Sequence, residues 1–109
     1  MKVIYVAGAY RGGSYNATFE NIMAARRVAQ QLWYKGWAVI CPHTNSIFMD
    51  EKDGGSPEIF LPGDLEIISR CDALLRLDGA SNGADKEVKR ARELNIPVYY
   101  SIEELDGRS

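Results

Sequence analysis

The sequence predicts an α/β domain: a parallel sheet of four to five strands with helices on both faces. Four short runs carry this expectation: Lys2–Ala7, Trp37–Cys41, Asp72–Leu77 and Ile96–Ser101. They are near-continuously apolar rather than alternating, as strands covered on both faces are. Segments with helical periodicity separate them, giving the order βα β(α) βα β. A length of 109 residues, 46% of them hydrophobic and 26% charged, predicts one domain over residues 1–109 with a core of ordinary size. The architecture expected is flavodoxin-like or Rossmann-like.

In chain order, KVIYVA (Lys2–Ala7) is a β-branched run that stops at Gly8, and Gly8–Gly13 is a glycine-rich loop. From Asn16 to Lys35, Phe19, Ile22, Ala25, Ala29 and Leu32 recur at helical spacing, with Met23, Val28 and Trp33 widening the stripe. Gly36 is placed to end that helix in a left-handed conformation. WAVIC (Trp37–Cys41) is the second strand, closed by Pro42, and His43–Pro57 reads as a long polar loop. A short helix is expected from Pro62 to Arg70, because proline is tolerated in a first turn. Its inward residues are Leu65, Ile67 and Ile68. The third strand, Asp72–Leu77, leads through a Gly79–Gly83 turn into a helix from Gly83 to Asn95 with Ala84, Val88, Ala91 and Leu94 inward. The fourth strand is Ile96–Ser101, and Ile102–Leu105 is a terminal helical turn.

Charge and composition exclude several functions. Thirteen Lys and Arg against fifteen Asp and Glu leave a net charge of −2, without the basic footprint of a polymeric nucleic-acid binder or a polybasic membrane patch. No apolar run approaches the roughly 18 residues of a membrane span. Met1-Lys2-Val3-Ile4 lacks a leader's apolar stretch, so a cytoplasmic location is expected. A single histidine excludes a multi-His metal centre, and Cys41 and Cys71 read as buried reduced thiols. No metal and no cofactor is called for. A small-molecule ligand is expected instead, outside the carboxyl ends of the strands.

The polar residues at those strand ends each allow two readings. Gly8-Ala9-Tyr10-Arg11-Gly12-Gly13, between a strand and a helix, suits an anion held by backbone N–H groups and Arg11, or is a glycine-rich turn with a surface arginine. Ser81 or Asn82 caps the helix that follows, with Asp85 in its first turn. Glu87 lies three residues after Ala84 and four before Ala91, so it borders their inward stripe. A carboxylate fixed there suits attack on an electron-poor carbon; otherwise it is a solvated glutamate paired with Arg90. Asp64 is either a helix cap or the proton donor of a two-carboxylate site. His43 contacts a ligand or bonds to its own loop. Tyr5, Tyr10, Trp33 and Trp37 read mostly as core and turn packing, with Tyr10 placed to touch a base or sugar.

Taken in order, these residues resemble the nucleoside 2-deoxyribosyltransferase-like superfamily, and within it the 2'-deoxynucleoside 5'-phosphate N-hydrolase branch. The resemblance runs from Lys2 to about Tyr100. It rests on Gly8–Gly13, on Cys41-Pro42-His43, on Asp64, and above all on Ser-x-Gly-x-x-x-Glu at Ser81, Gly83 and Glu87. It implies that Glu87 is a nucleophile on C1' of the sugar, that Asp64 assists departure of the base, and that Tyr10 approaches sugar and nucleophile. By the same resemblance Gly8, Ala9, Arg11, Gly12, Gly13, Ser81 and Gly83 surround a 5'-phosphate, and His43 lies beside the base or sugar. The activity implied is hydrolysis of the N-glycosidic bond of a (deoxy)nucleoside 5'-monophosphate. Base exchange by a deoxyribosyltransferase and a nucleotide-binding module without chemistry are the alternatives. A homodimer or higher homo-oligomer is also implied.

Overall fold

A computed structural model describes residues 1–46 and 57–109. Four parallel strands form one sheet among the described residues: β1 (Val3–Ala7), β2 (Ala38–Ile40), β3 (Ala73–Arg76) and β4 (Val98–Tyr99), in the order β2-β1-β3-β4. The sheet has the lower of the two strand numbers expected. Its helices lie on both faces, as predicted. Side chains alternate across β1, which sorts the core into two layers. Ile4 and Val6 pack with Val39, Leu75 and the Ala25, Ala29 and Leu32 stripe of α1 (Tyr15–Tyr34). Tyr5 and Ala7 face the other way, with Leu74, Ile68 of α3 (Pro57–Ile68), and Ala84, Val88 and Ala91 of α4 (Asn82–Glu93).

Local chemistry sets the helix ends. Ser14 caps α1 by accepting from the Ala17 N–H at 3.1 Å. Gly36 (φ +96°) ends it, with the Trp37 N–H returning to the Leu32 carbonyl. Ser81 caps α4, its hydroxyl accepting from the Ala84 N–H at 3.1 Å. At the far end of α4, Asn95 takes the left-handed conformation (φ 60°) that asparagine tolerates.

Several expectations need correction. Phe19 and Trp33 are 43% and 55% exposed, so they stand outside the buried stripe of α1, whose inner face includes Thr18 instead. Leu94 is the C-terminal cap of α4 and is exposed, not inward. Pro42 opens a short helix, α2 (Pro42–Asn45), so His43 is helical rather than in a loop. The part of the predicted loop over 47–56 lies outside the described residues. Helix α3 starts five residues earlier than expected, at Pro57, another residue that suits a first turn, and Pro62 falls inside it. Proline lacks an N–H, so α3 forgoes one intrahelical bond there. The terminal turn is a 3-10 helix, Glu103–Leu105, which seals the α1 layer with Leu105. Cys41 and Cys71 are free and buried. No described helix is long and apolar enough to cross a membrane.

Candidate active site

The exits of β1, β2 and β3 and the facing sides of α3 and α4 enclose a cavity of about 280 Å³. Gly8, Tyr10, Arg11, His43, Asp64, Ser81, Gly83 and Glu87 all line it. Residues separated by up to 79 positions in the chain are thus brought together. Ala9, Gly12 and Gly13 are not among the described lining residues. The Ala9 carbonyl instead accepts from His43, and the Gly12 N–H donates to Thr18 Oγ1 at 2.9 Å. Gly12 is pressed so closely on α1 that a Cβ there would come within 2.3 Å of the Ala17 Cβ.

Glu87 is 7% exposed, and its carboxylate accepts a hydrogen bond from the Tyr5 hydroxyl. The solvated alternative is excluded by this geometry: Arg90 lies 3.9 Å from Glu93. Burial pushes the Glu87 pKa from 4.5 up to about 7, and the neighbouring Asp64 pushes it the same way; the Tyr5 bond and the charge of Arg76 pull it down. The same burial, reinforced by the negative charge of Glu87, raises Tyr5, so its proton stays in place as a donor.

Asp64 is the eighth residue of α3, too far along to cap it, and this removes its structural alternative. Partial burial raises its pKa from 3.8 to about 6. Two carboxyl groups titrating near neutrality therefore border one cavity, as acid–base work at neutral pH requires.

His43 is 4% exposed, and its Nε2 stands 2.9 Å from the Ala9 carbonyl. A carbonyl only accepts, so Nε2 carries the proton. Burial lowers the His43 pKa and keeps the ring neutral. Nδ1 is buried with no partner among the described residues. The Tyr10 ring packs on His43 with centroids 5.8 Å apart and a 52° tilt. Pro42, Phe60 and Leu61 add apolar wall to the cavity that Asp64 and Glu87 also line.

Sequence reasoning missed two residues. The sequence places Tyr5 in packing, yet its hydroxyl is what orients Glu87. The available signal was a phenol in a fully buried strand, where a buried hydroxyl demands a partner. Arg76 falls within the apolar run of β3, which hides it from pattern reading. It is 8% exposed, donates to the Leu77 carbonyl, and reaches Asp85 at 3.1 Å.

A family model described as a domain of unknown function (DUF7768) matches residues 2–101. No curated protein matches the sequence. Among solved structures, the 2-deoxyribosyltransferase of the psychrotolerant bacterium Bacillus psychrosaccharolyticus is similar, with a TM-score of 0.65 and 24% sequence identity. The match covers 88% of this chain and 69% of that one. At this identity the likeness is one of fold.

Proposed function

The chain belongs to the DUF7768 family, and for it we propose N-glycosidic chemistry: transfer of the sugar of a 2'-deoxynucleoside to a second base through a covalent intermediate on Glu87. The observation that carries this reading is the buried Glu87 carboxylate, held by the Tyr5 hydroxyl and lining, together with Asp64, one cavity of about 280 Å³. The fold shared with a 2-deoxyribosyltransferase supports transfer in preference to hydrolysis.

In the first step a Glu87 oxygen forms a bond to C1' as the C1'–N bond breaks. The electron pair leaves with the base, and Asp64, whose raised pKa of about 6 keeps a protonated fraction toward neutral pH, supplies the proton that completes it. In the second step a nitrogen of an incoming base attacks C1', the ester bond breaks, and Glu87 returns as carboxylate. Asp64 recovers its proton from the incoming base. Tyr5 aims the nucleophile, and Tyr10, His43 and Phe60 provide the surface for the base.

A second reading is hydrolysis of a nucleoside 5'-monophosphate, with water as acceptor. It is favoured by Arg11, Ser81 and Gly83, which line the same cavity at the N-terminus of α4, where a phosphate is electrostatically suited.

The test is incubation of wild type and Glu87→Ala with 2'-deoxynucleosides and their 5'-monophosphates, with and without a free acceptor base, followed by chromatography. Base exchange in wild type, absent in Glu87→Ala, is the expected result. Free base from monophosphates without an acceptor supports the second reading. Intact ligands throughout would identify a binding module. Base release undiminished in Glu87→Ala overturns the mechanism.

A further inference from the structure

Among the described residues, Arg76 is the one buried cation and Glu87 the one buried anion. Buried charges are costly unless paired, so their placement within one small region of the interior needs a reason. The register of the sheet supplies the geometry. Ala7 of β1 sits opposite Arg76 of β3, and Tyr5 opposite Leu74. Alternation along a strand therefore puts Tyr5, Leu74 and Arg76 on the same face, the one covered by α4. Tyr5 reaches Glu87 in α4, and Arg76 reaches Asp85 two residues earlier in the same helix. The guanidinium is fixed at both ends, by the Leu77 carbonyl and by Asp85.

We propose that Arg76 is a positioning residue for the chemistry of Glu87: its guanidinium, clamped beneath the start of α4, supplies positive charge that favours the carboxylate form of the buried Glu87 side chain. This inference rests on the reading of Glu87 as the nucleophile, since only the ionised form attacks carbon. The groups that face Glu87 divide cleanly. Asp64 from α3 disfavours its charge, as does burial itself, while the Tyr5 hydroxyl and Arg76 favour it. His43, kept neutral, and Arg11 line the same cavity. Asp85, on the same helix as Glu87, is mostly exposed, so it anchors Arg76 without fully cancelling it. In a medium of low dielectric the charge of Arg76 acts over a distance at which water would screen it.

The experiment compares Arg76→Gln and Arg76→Lys with wild type in two ways. One is the pH profile of kcat/KM on the deoxynucleoside that wild type exchanges fastest. The other is a carboxyl-carbon NMR titration of Glu87, which needs no turnover. In Arg76→Gln the acidic limb and the Glu87 titration are expected to move up together by about one pH unit, a loss of about tenfold in rate at pH 6. Arg76→Lys restores most of the shift, because it restores the charge. A rate reduced by one factor at every pH, with an unmoved Glu87 titration, overturns the proposal. Should Arg76→Gln not fold, Arg76→Met, an apolar chain of similar length, takes its place with the same upward shift expected, and no movement of the Glu87 titration there overturns the proposal equally. If the chain shows no N-glycosidic activity, the NMR titration still reads the coupling, so the two failures are distinct.

Discussion

Tyr5 and Glu87 show how much one buried pair decides. The Tyr5 hydroxyl is one of the two influences that lower the Glu87 pKa against burial and against Asp64. Hydrogen bonds to charged groups contribute about 1.5–3 kcal/mol. In Tyr5→Phe the Glu87 titration is therefore expected to rise by roughly one pH unit or more, with about a tenfold loss of activity at pH 6, since one unit corresponds to about 1.4 kcal/mol. A pH–rate profile checks this; an unmoved acidic limb would show that the phenol serves packing alone. Glu87 itself was legible, because its spacing from Ala84 and Ala91 puts it on the inward stripe. Its partner was not. Tyr5 and Glu87 lie 82 residues apart, and no local periodicity relates them.

At the scale of elements, the glycine-rich segment between β1 and α1 is held by contact as much as by turn geometry. Gly12 has no room for a side chain, whereas nothing lies within 4 Å of a Cβ built on Gly13. Gly12→Ala is expected to cost about 1–3 kcal/mol, the usual penalty for overpacking. Gly13→Ala is expected to stay within about 0.5 kcal/mol of wild type, as surface substitutions do. Urea denaturation of the two variants separates them, and equal midpoints would contradict the close approach of the loop to α1. Strands and the helices α1 and α4 were legible from apolar runs and spacing. The start of α3 was not, since Pro57 and Pro62 both suit a first turn. That one uncertainty left Asp64 readable as a cap, and only the earlier start makes it a mid-helix residue facing the cavity.

For the whole molecule, the two raised carboxyl groups link stability to pH. Between pH 4 and 7 the folded state holds protons on Asp64 and Glu87 that the unfolded chain has released. The stability they contribute is full below their unfolded values of 3.8 and 4.5 and is lost as pH rises through about 6 and about 7. His43 acts oppositely: its lowered pKa removes stability as pH falls below 6.5. Comparing wild type with Glu87→Gln isolates the glutamate. The variant keeps a neutral group, so it is expected to be the more stable protein at pH 8, by on the order of 3 kcal/mol relative to their difference at pH 4. Denaturation curves at both pH values decide it, and a difference that does not change with pH would place Glu87 in contact with solvent.

The layers of this protein follow from its residue pattern alone. Continuous apolar runs require strands covered on both faces, and helical stripes require helices to cover them, whatever the remaining residues are. The same pattern also determines the strand ends at which polar side chains collect. The charge state of those side chains, by contrast, arises only in the folded molecule. The register of β1 against β3 sets Tyr5 and Arg76 on the same face beneath α4, and the packing of α3 brings Asp64 to Glu87. A pKa depends on burial and on neighbours distant in the chain, and neither exists until the sheet has closed and the helices have docked.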